Sequence, residues 1–233
     1  MTTKKLLAKL HLDDAAFNKI QYVVQEEEKR TTGEIACAIT PESATYSFYE
    51  LVAAMCGGAV LFALLVCFAS PINHWLNTLF WEVPVWLYPL MCGAAFIVAV
   101  PLVFALVNIP ALDRLVIPEA ARSAATWKRA MRCFAESGVY KTREQSGVLI
   151  FVSYLERNVH ILADSGIASK IEQERWDQIA ATLAEELSDG DAADAFCNAI
   201  HACGELLAAQ FPPHPGDNPD ELADGLLILE GGE

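Results

Sequence analysis

Four acidic residues, Glu34, Glu156, Asp164 and Asp177, stand at or near the ends of apolar stretches, where folding can bring carboxylates together. Glu34 opens the run EIACAIT, and Asp164 follows a run that ends at Ala163. Carboxylate oxygens are what a hard cation such as Ca2+ or Mg2+ takes as ligands. Glu34 and Asp164, with Glu156 or Asp177 nearby, are therefore the candidate metal set. The alternative is that they are solvated turn acids, which the absence of any EF-hand spacing favours. Arg143 precedes the second apolar run and would suit either a phosphate or these carboxylates, or serve as a positive anchor beside a membrane.

A second constellation lies further on. Cys197, His201 and Glu205 recur at four-residue spacing with Cys203 beside them, one face of a helix. A single helix rarely offers one ion more than two ligands, and no second Cys or His cluster supplies the rest, so buried cysteines and a hydrogen-bonded histidine are the simpler reading. Ser153 sits inside an apolar run rather than at a G-x-S-x-G elbow. Neither a P-loop nor a G-x-G-x-x-G fingerprint occurs, and no catalytic residue is assigned.

The elements that must position these residues follow from periodicity. LDDAAFNKIQYVVQEEEKRTTG predicts a helix capped by Asp13 or Asp14, with Phe17, Ile20 and Val24 inward, a polar face from Glu26 to Arg30, and Gly33 at its end. EIACAIT is a strand stopped by Pro41. EAARSAATWKRAMRCFAESG is a helix whose apolar side holds Ala121, Ala125, Trp127, Met131 and Phe134, ending at Gly138. Residues 148–154 and 159–163 form a hairpin around LERN. Two more helices follow, one with Trp176, Ile179 and Leu183, the other with Phe196, Ile200 and Leu207, before PPHPGDNPDELADG breaks the pattern and leaves an acidic extension with a docked LLIL.

Between the first strand and the hairpin lie two stretches without a single charge, residues 51–70 and 85–107. About 20 apolar residues suffice for a helix to cross a bilayer, and prolines such as Pro89 and Pro101 are tolerated there. They predict a transmembrane hairpin joined by the loop PINHWLNTLFWEV, whose Trp75, Phe80 and Trp81 suit the headgroup level. Gly57 and Gly58 offer a small-residue contact between the spans. The connection carries no Lys or Arg, whereas Lys19, Lys29, Arg30, Arg114, Lys128, Arg129 and Arg132 flank the spans, so both termini are expected in the cytoplasm of a bacterial inner membrane. Seven scattered cysteines without a C-x-x-C pair agree with a reducing compartment. The chain has a net charge of −14 and a mean hydropathy of +0.29, and from Trp176 onward it has no Lys or Arg. Nucleic acid is thus excluded as a partner, and the basic segment after the spans would face an anionic leaflet.

The succession TTGEIACAIT, a Thr-Arg before SGVLIFVSYLERNVHILADSGI, a Trp-bearing helix and DGDAADAFCNAIHACGELLAAQFP resembles the TPM domain, also found in thylakoid and photosystem II repair proteins, over residues 12–40 and 119–212. The resemblance implies a small α/β sandwich, here interrupted by the two-helix hairpin, and places Asp164 at an acidic loop position of the family. Some members are described as acid phosphatases or calcium binders, others as accessory factors of membrane complexes. The expected division is 1–48 and 108–212 as the two parts of the domain, 49–107 as the hairpin and 213–233 as an acidic tail. The expected function is a membrane-anchored accessory module that binds a membrane protein or itself, with the bilayer as a further partner. The alternative is a phosphatase assisted by Ca2+ or Mg2+; no cofactor is fixed by the residues alone.

Overall fold

A computed structural model of the chain describes residues 2–107, 109, 116–142, 145–213, 222 and 225–232. Arg114, Arg143 and most of PPHPGDNPDELADG lie outside the described residues. The chain forms two compact units, one from residues 1–45 and 120–233, the other from 46–119.

The first unit is built on a four-stranded sheet of order β3-β2-β1-β4, from β1 (Glu34–Thr40), β2 (Gly147–Ser153), β3 (Asn158–Ala163) and β4 (Leu226–Ile228). β1 runs parallel to both β2 and β4, and β2 pairs with β3 antiparallel, Ser153 opposite Asn158 and Val148 opposite Ala163. Every residue of β1 and β2 is buried, as expected for parallel strands covered on both faces. Side chains alternate between those faces. Ile35, Cys37, Ile39, Val148, Ile150 and Val152 face a core shared with α1 (Thr3–Lys9), α2 (Asp14–Glu28), α8 (Gln173–Asp189) and α9 (Ala192–Gln210). Ala36, Ala38, Leu149, Phe151 and Leu162 face α6 (Glu119–Glu136). The expected mixed α/β class is what the chain adopts.

Asp13 caps α2, its Oδ1 accepting from the Ala16 N–H at 2.9 Å. The expected polar face of that helix is only partly exposed, because Glu27 and Glu28 are buried. Glu28 accepts from the Ile35 N–H at 2.9 Å, and Glu27 receives Arg30 at 3.0 Å and His201 at 2.7 Å. The apolar side expected for α6 is also displaced. Trp127 and Met131 are 49% and 45% exposed, while Thr126, Arg129, Ala130 and Cys133 are buried. Small side chains let the helix lie close over Leu149 and Phe151, with Phe134 packed beside them as expected, while Trp127 and Met131 are turned outward. Gly138, at φ +78, ends the helix as expected.

The stretch LLIL does more than dock: Leu226–Ile228 is β4, pairing Cys37 with Leu226 and Ile39 with Ile228. Beyond it, the Leu229 N–H donates to the Ile39 carbonyl at 2.9 Å, and the Thr45 hydroxyl to the Gly232 carbonyl at 3.0 Å.

The second unit contains α3 (Ser47–Cys67), α4 (Ala69–Leu79) and α5 (Leu87–Val107). α3 and α5 are long and apolar enough to cross a membrane. They pack antiparallel: Gly57 faces Val103, Gly58 lies against Val100 and Phe96, and the Tyr88 hydroxyl donates to the Leu65 carbonyl. A Cβ on Gly58 would come within 2.8 Å of Val100, so the glycine is what permits the approach. The connection expected as a loop is largely the helix α4, with Leu76 buried and Trp75 and Leu79 exposed.

Gly147 opens β2 where a side chain would collide with the backbone carbonyl of Val139. Gly147→Ala should destabilise the domain by about 1–3 kcal/mol, seen as a lower midpoint in thermal unfolding followed by circular dichroism. An unchanged midpoint would refute this packing.

Candidate functional site

Glu34 and Asp164 come to the same end of the sheet because β1 starts there and β3 finishes there. Glu34 pairs with Gly147, whose carbonyl accepts from the Asp164 N–H at 2.9 Å. One strand lies between them, so their backbones are about 10 Å apart at the usual strand spacing. Asp164 caps the short helix α7 (Ser165–Ala168). Its Oδ1 accepts from the Ser165 N–H at 2.6 Å and lies 3.1 Å from the Ser165 hydroxyl. Its Oδ2 is buried with no hydrogen-bond partner, in a residue only 8% exposed. A buried carboxylate oxygen without a partner carries a desolvation penalty, and a donor or cation there would relieve it.

Glu34 is 2% exposed, and its Oε2 accepts from the Leu222 N–H at 3.3 Å. The structure does not add Glu156 to this pair. Glu156 lies in the turn between β2 and β3, the opposite end of the sheet, about 20 Å away along a six-residue strand. Asp177 is exposed on α8 and accepts from the Gln173 amide at 2.9 Å. Among the described residues, no group of three or more His, Cys, Asp or Glu side chains is assembled to hold a metal. Calcium requires six to eight oxygens, and the free Oδ2 of Asp164 does not by itself meet that demand.

Glu156 belongs instead to a buried network that its sequence position did not suggest. Its Oε1 accepts from the Ser43 N–H at 2.9 Å, its Oε2 from the Ser153 hydroxyl at 2.5 Å, and the Ser43 and Ser153 hydroxyls are 2.7 Å apart. Ser153 is 0% exposed, so no substrate reaches it, and the network ties the end of β1 to the end of β2. The available signal was a serine ending an apolar strand with a glutamate three residues on; Ser43 had none.

Cys197, His201 and Glu205 do not form a metal face with Cys203. His201 sits between Glu27 and Glu205, Nδ1 at 2.7 Å from one and Nε2 at 3.4 Å from the other. Cys203 points into the core, and burial pushes its thiol and that of Cys37 up, leaving both protonated and inert.

His160 was not singled out by the sequence. It projects from β3 with Nε2 3.1 Å from the Thr126 hydroxyl, which also accepts from the Asn158 amide at 3.0 Å, and the Trp127 ring meets it edge-on at 5.5 Å. Burial lowers its pKa below the ordinary 6.5, and Asp177 partly opposes this. As the pH falls past 6.5 the unfolded chain takes up the proton first, so stability present above that pH is lost on acidification through the folded value. Denaturant titrations between pH 7.5 and about 5 should show this loss in the wild type, less of it in His160→Gln, and more in Asp177→Asn. Identical pH profiles in all three would refute it.

Comparison with known proteins bears on the same segments. No curated protein matches the chain. Among solved structures, it is similar to the NMR structure of BA42 protein from the psychrophilic bacterium Bizionia argentinensis, with a TM-score of 0.53 and 18% identity over 93% of this chain and 94% of that one. At this identity the likeness concerns the fold alone. The TPM domain family model matches residues 112–206, which contain α6, the β2–β3 hairpin, α8 and most of α9 together with Asp164, Glu156 and His160. The match thus spans 112–206 alone, and the sheet to which its two strands belong also takes β1 and β4 from outside that segment.

Proposed function

We propose that the chain is a membrane-anchored TPM-type binding module, held by the inserted α3–α5 hairpin and engaging a membrane protein or a second copy of itself. The observation that carries this is the surface of the hairpin. Apart from the contact stripe of Ala54 and Gly58, α3 and α5 expose Val60, Phe62, Leu64, Ile97, Val98 and Leu102, which water would not tolerate and lipid would. α4, without a charge and with Trp75 outward, suits the interface on the far side, as does the exposed Trp81 that follows it. With no Lys or Arg between the spans and several on both flanks, the TPM domain belongs on the cytoplasmic face. The strand end around Asp164, with its unpartnered oxygen, is the recognition point on this reading.

The competing reading, a phosphatase assisted by Ca2+ or Mg2+, rests on that same oxygen and on the neighbouring Ser165 hydroxyl. It lacks further ligands and a general base among the described residues, and we rank it second.

Two measurements decide. In cells carrying cysteine only at Asn77→Cys or only at Glu174→Cys, a membrane-impermeant maleimide should label the first and not the second; labelling of Glu174→Cys alone would invert the topology. With purified full-length protein, aryl phosphate hydrolysis should not depend on added calcium, magnesium or manganese. Metal-dependent turnover that is lost in Asp164→Ala would favour the phosphatase.

A further inference from the structure

The opposite end of the sheet from Asp164 carries a cavity of about 220 Å³ bounded by the β2–β3 turn, α8 and Lys9. Sites for drug-sized ligands span about 300–1,000 Å³, so this one suits something smaller. Its walls are mixed: Val152, Val159, Leu187 and the Tyr154 ring are apolar, and Asn158 and Ser188 are polar. Two cations line it, Lys9 and Arg157. In a chain of net charge −14, neither has an ion-pair partner among the described residues, and the Lys9 ammonium lies 5.4 Å from the centre of the Tyr154 ring. Glu156, the acid next to Arg157 in sequence, has an oxygen on Ser43 and an oxygen on Ser153.

Arg157 occupies the left-handed region at φ +51, which glycine or asparagine enters with little strain and arginine does not. Asn158, the next residue, would have suited that position better. The turn that Arg157 closes, its N–H donating to the Tyr154 carbonyl at 3.3 Å, is what sets this residue at the lining of the cavity. A guanidinium can grip a carboxylate or a phosphate through two parallel hydrogen bonds, and an ammonium nearby adds charge.

We infer that this cavity binds a small organic anion, with a carboxylate or phosphate head held by Arg157 and Lys9 and a short hydrocarbon body lying against Val152, Val159 and Leu187. The site is separate from Asp164 and stands whether or not the chain hydrolyses phosphate esters. The ligand's charge is required, because Arg157 and Lys9 are the only charged groups that line the cavity among the described residues. Its apolar body is required too, since inorganic phosphate would leave the walls unfilled.

The test uses the full-length protein in nanodiscs and titrates hexanoate, hexyl phosphate, hexanol and inorganic phosphate by calorimetry. Hexanoate or hexyl phosphate should bind and hexanol should not; which of the two anions binds more tightly assigns the head group. Affinity should fall about tenfold or more in Arg157→Gln and in Lys9→Gln, the loss expected for a charge-assisted hydrogen bond. Arg157→Gly gives a separate readout: relief of the left-handed strain should raise the thermal midpoint while binding is lost, a combination that general damage to the fold cannot produce. No binding by either organic anion, equal affinity in wild type and the Arg157 variants, or inorganic phosphate binding as tightly as the organic anions would overturn the inference.

Discussion

β1 and β2 lie parallel and in register, Glu34 against Gly147 and Thr40 against Ser153, with more than a hundred residues between Thr40 and Gly147. The rest of the domain depends on this pairing. It sets the two faces on which α2, α8 and α9 pack on one side and α6 on the other. It also brings the start of β1 alongside the end of β3, so that Glu34 and Asp164 share an end of the sheet. A parallel pair needs a crossover of at least a dozen residues, and a long crossover is cheap: each doubling of a flexible loop costs only about 0.6 kcal/mol. The hairpin unit of residues 46–119 therefore adds on the order of 1 kcal/mol to closure. The antiparallel packing of α3 on α5, Gly57 at Val103 and Tyr88 at Leu65, reduces that further by returning the chain to the end where it entered.

The pairing is secured at both ends by buried polar groups. At one end Glu28 takes the Ile35 N–H and Glu34 takes the Leu222 N–H; at the other, Glu156 gathers Ser43 and Ser153. Acids that would be expensive to bury alone are tolerated because backbone donors and hydroxyls satisfy them. Asp164 departs from this pattern, with one oxygen used and the other left bare. Within a domain that satisfies its other buried carboxylates so thoroughly, this residue is the natural place to look for a missing partner.

How much of this the amino-acid sequence disclosed follows from the range of the interactions involved. The β2–β3 hairpin, the two long apolar helices, the Asp13 cap and the Gly138 terminus are local, and they read correctly. The inward face of α6 did so only in part: Phe134 packs on the sheet as read, but Trp127 and Met131 are exposed, and the buried positions go to Thr126, Ala130 and Cys133. Glu27 and Glu28 read as solvated because their partners, His201 and the Ile35 N–H, are remote or belong to the backbone. β4 is three residues long and beyond the reach of periodicity. Glu156, one of the two alternatives for a third acid, lies apart from Asp164 because a turn and the far terminus of its second strand are at opposite ends of a sheet. The cavity beside Arg157 had no linear signature, for Lys9, Arg157 and Leu187 meet only in three dimensions.

The hydrogen bonds that residues 229–232 make with Ile39, Glu42 and Thr45 carry a consequence for biosynthesis. Ribosomes add about 5–20 residues per second, so β1 emerges about 5–20 s before β2 and about 10–40 s before the segment that will cover its outer edge. During that interval a strand destined to be buried along its whole length waits unpaired. Such a strand is a hazard for aggregation, and the hazard at its outer edge lasts until translation has moved past Ile228.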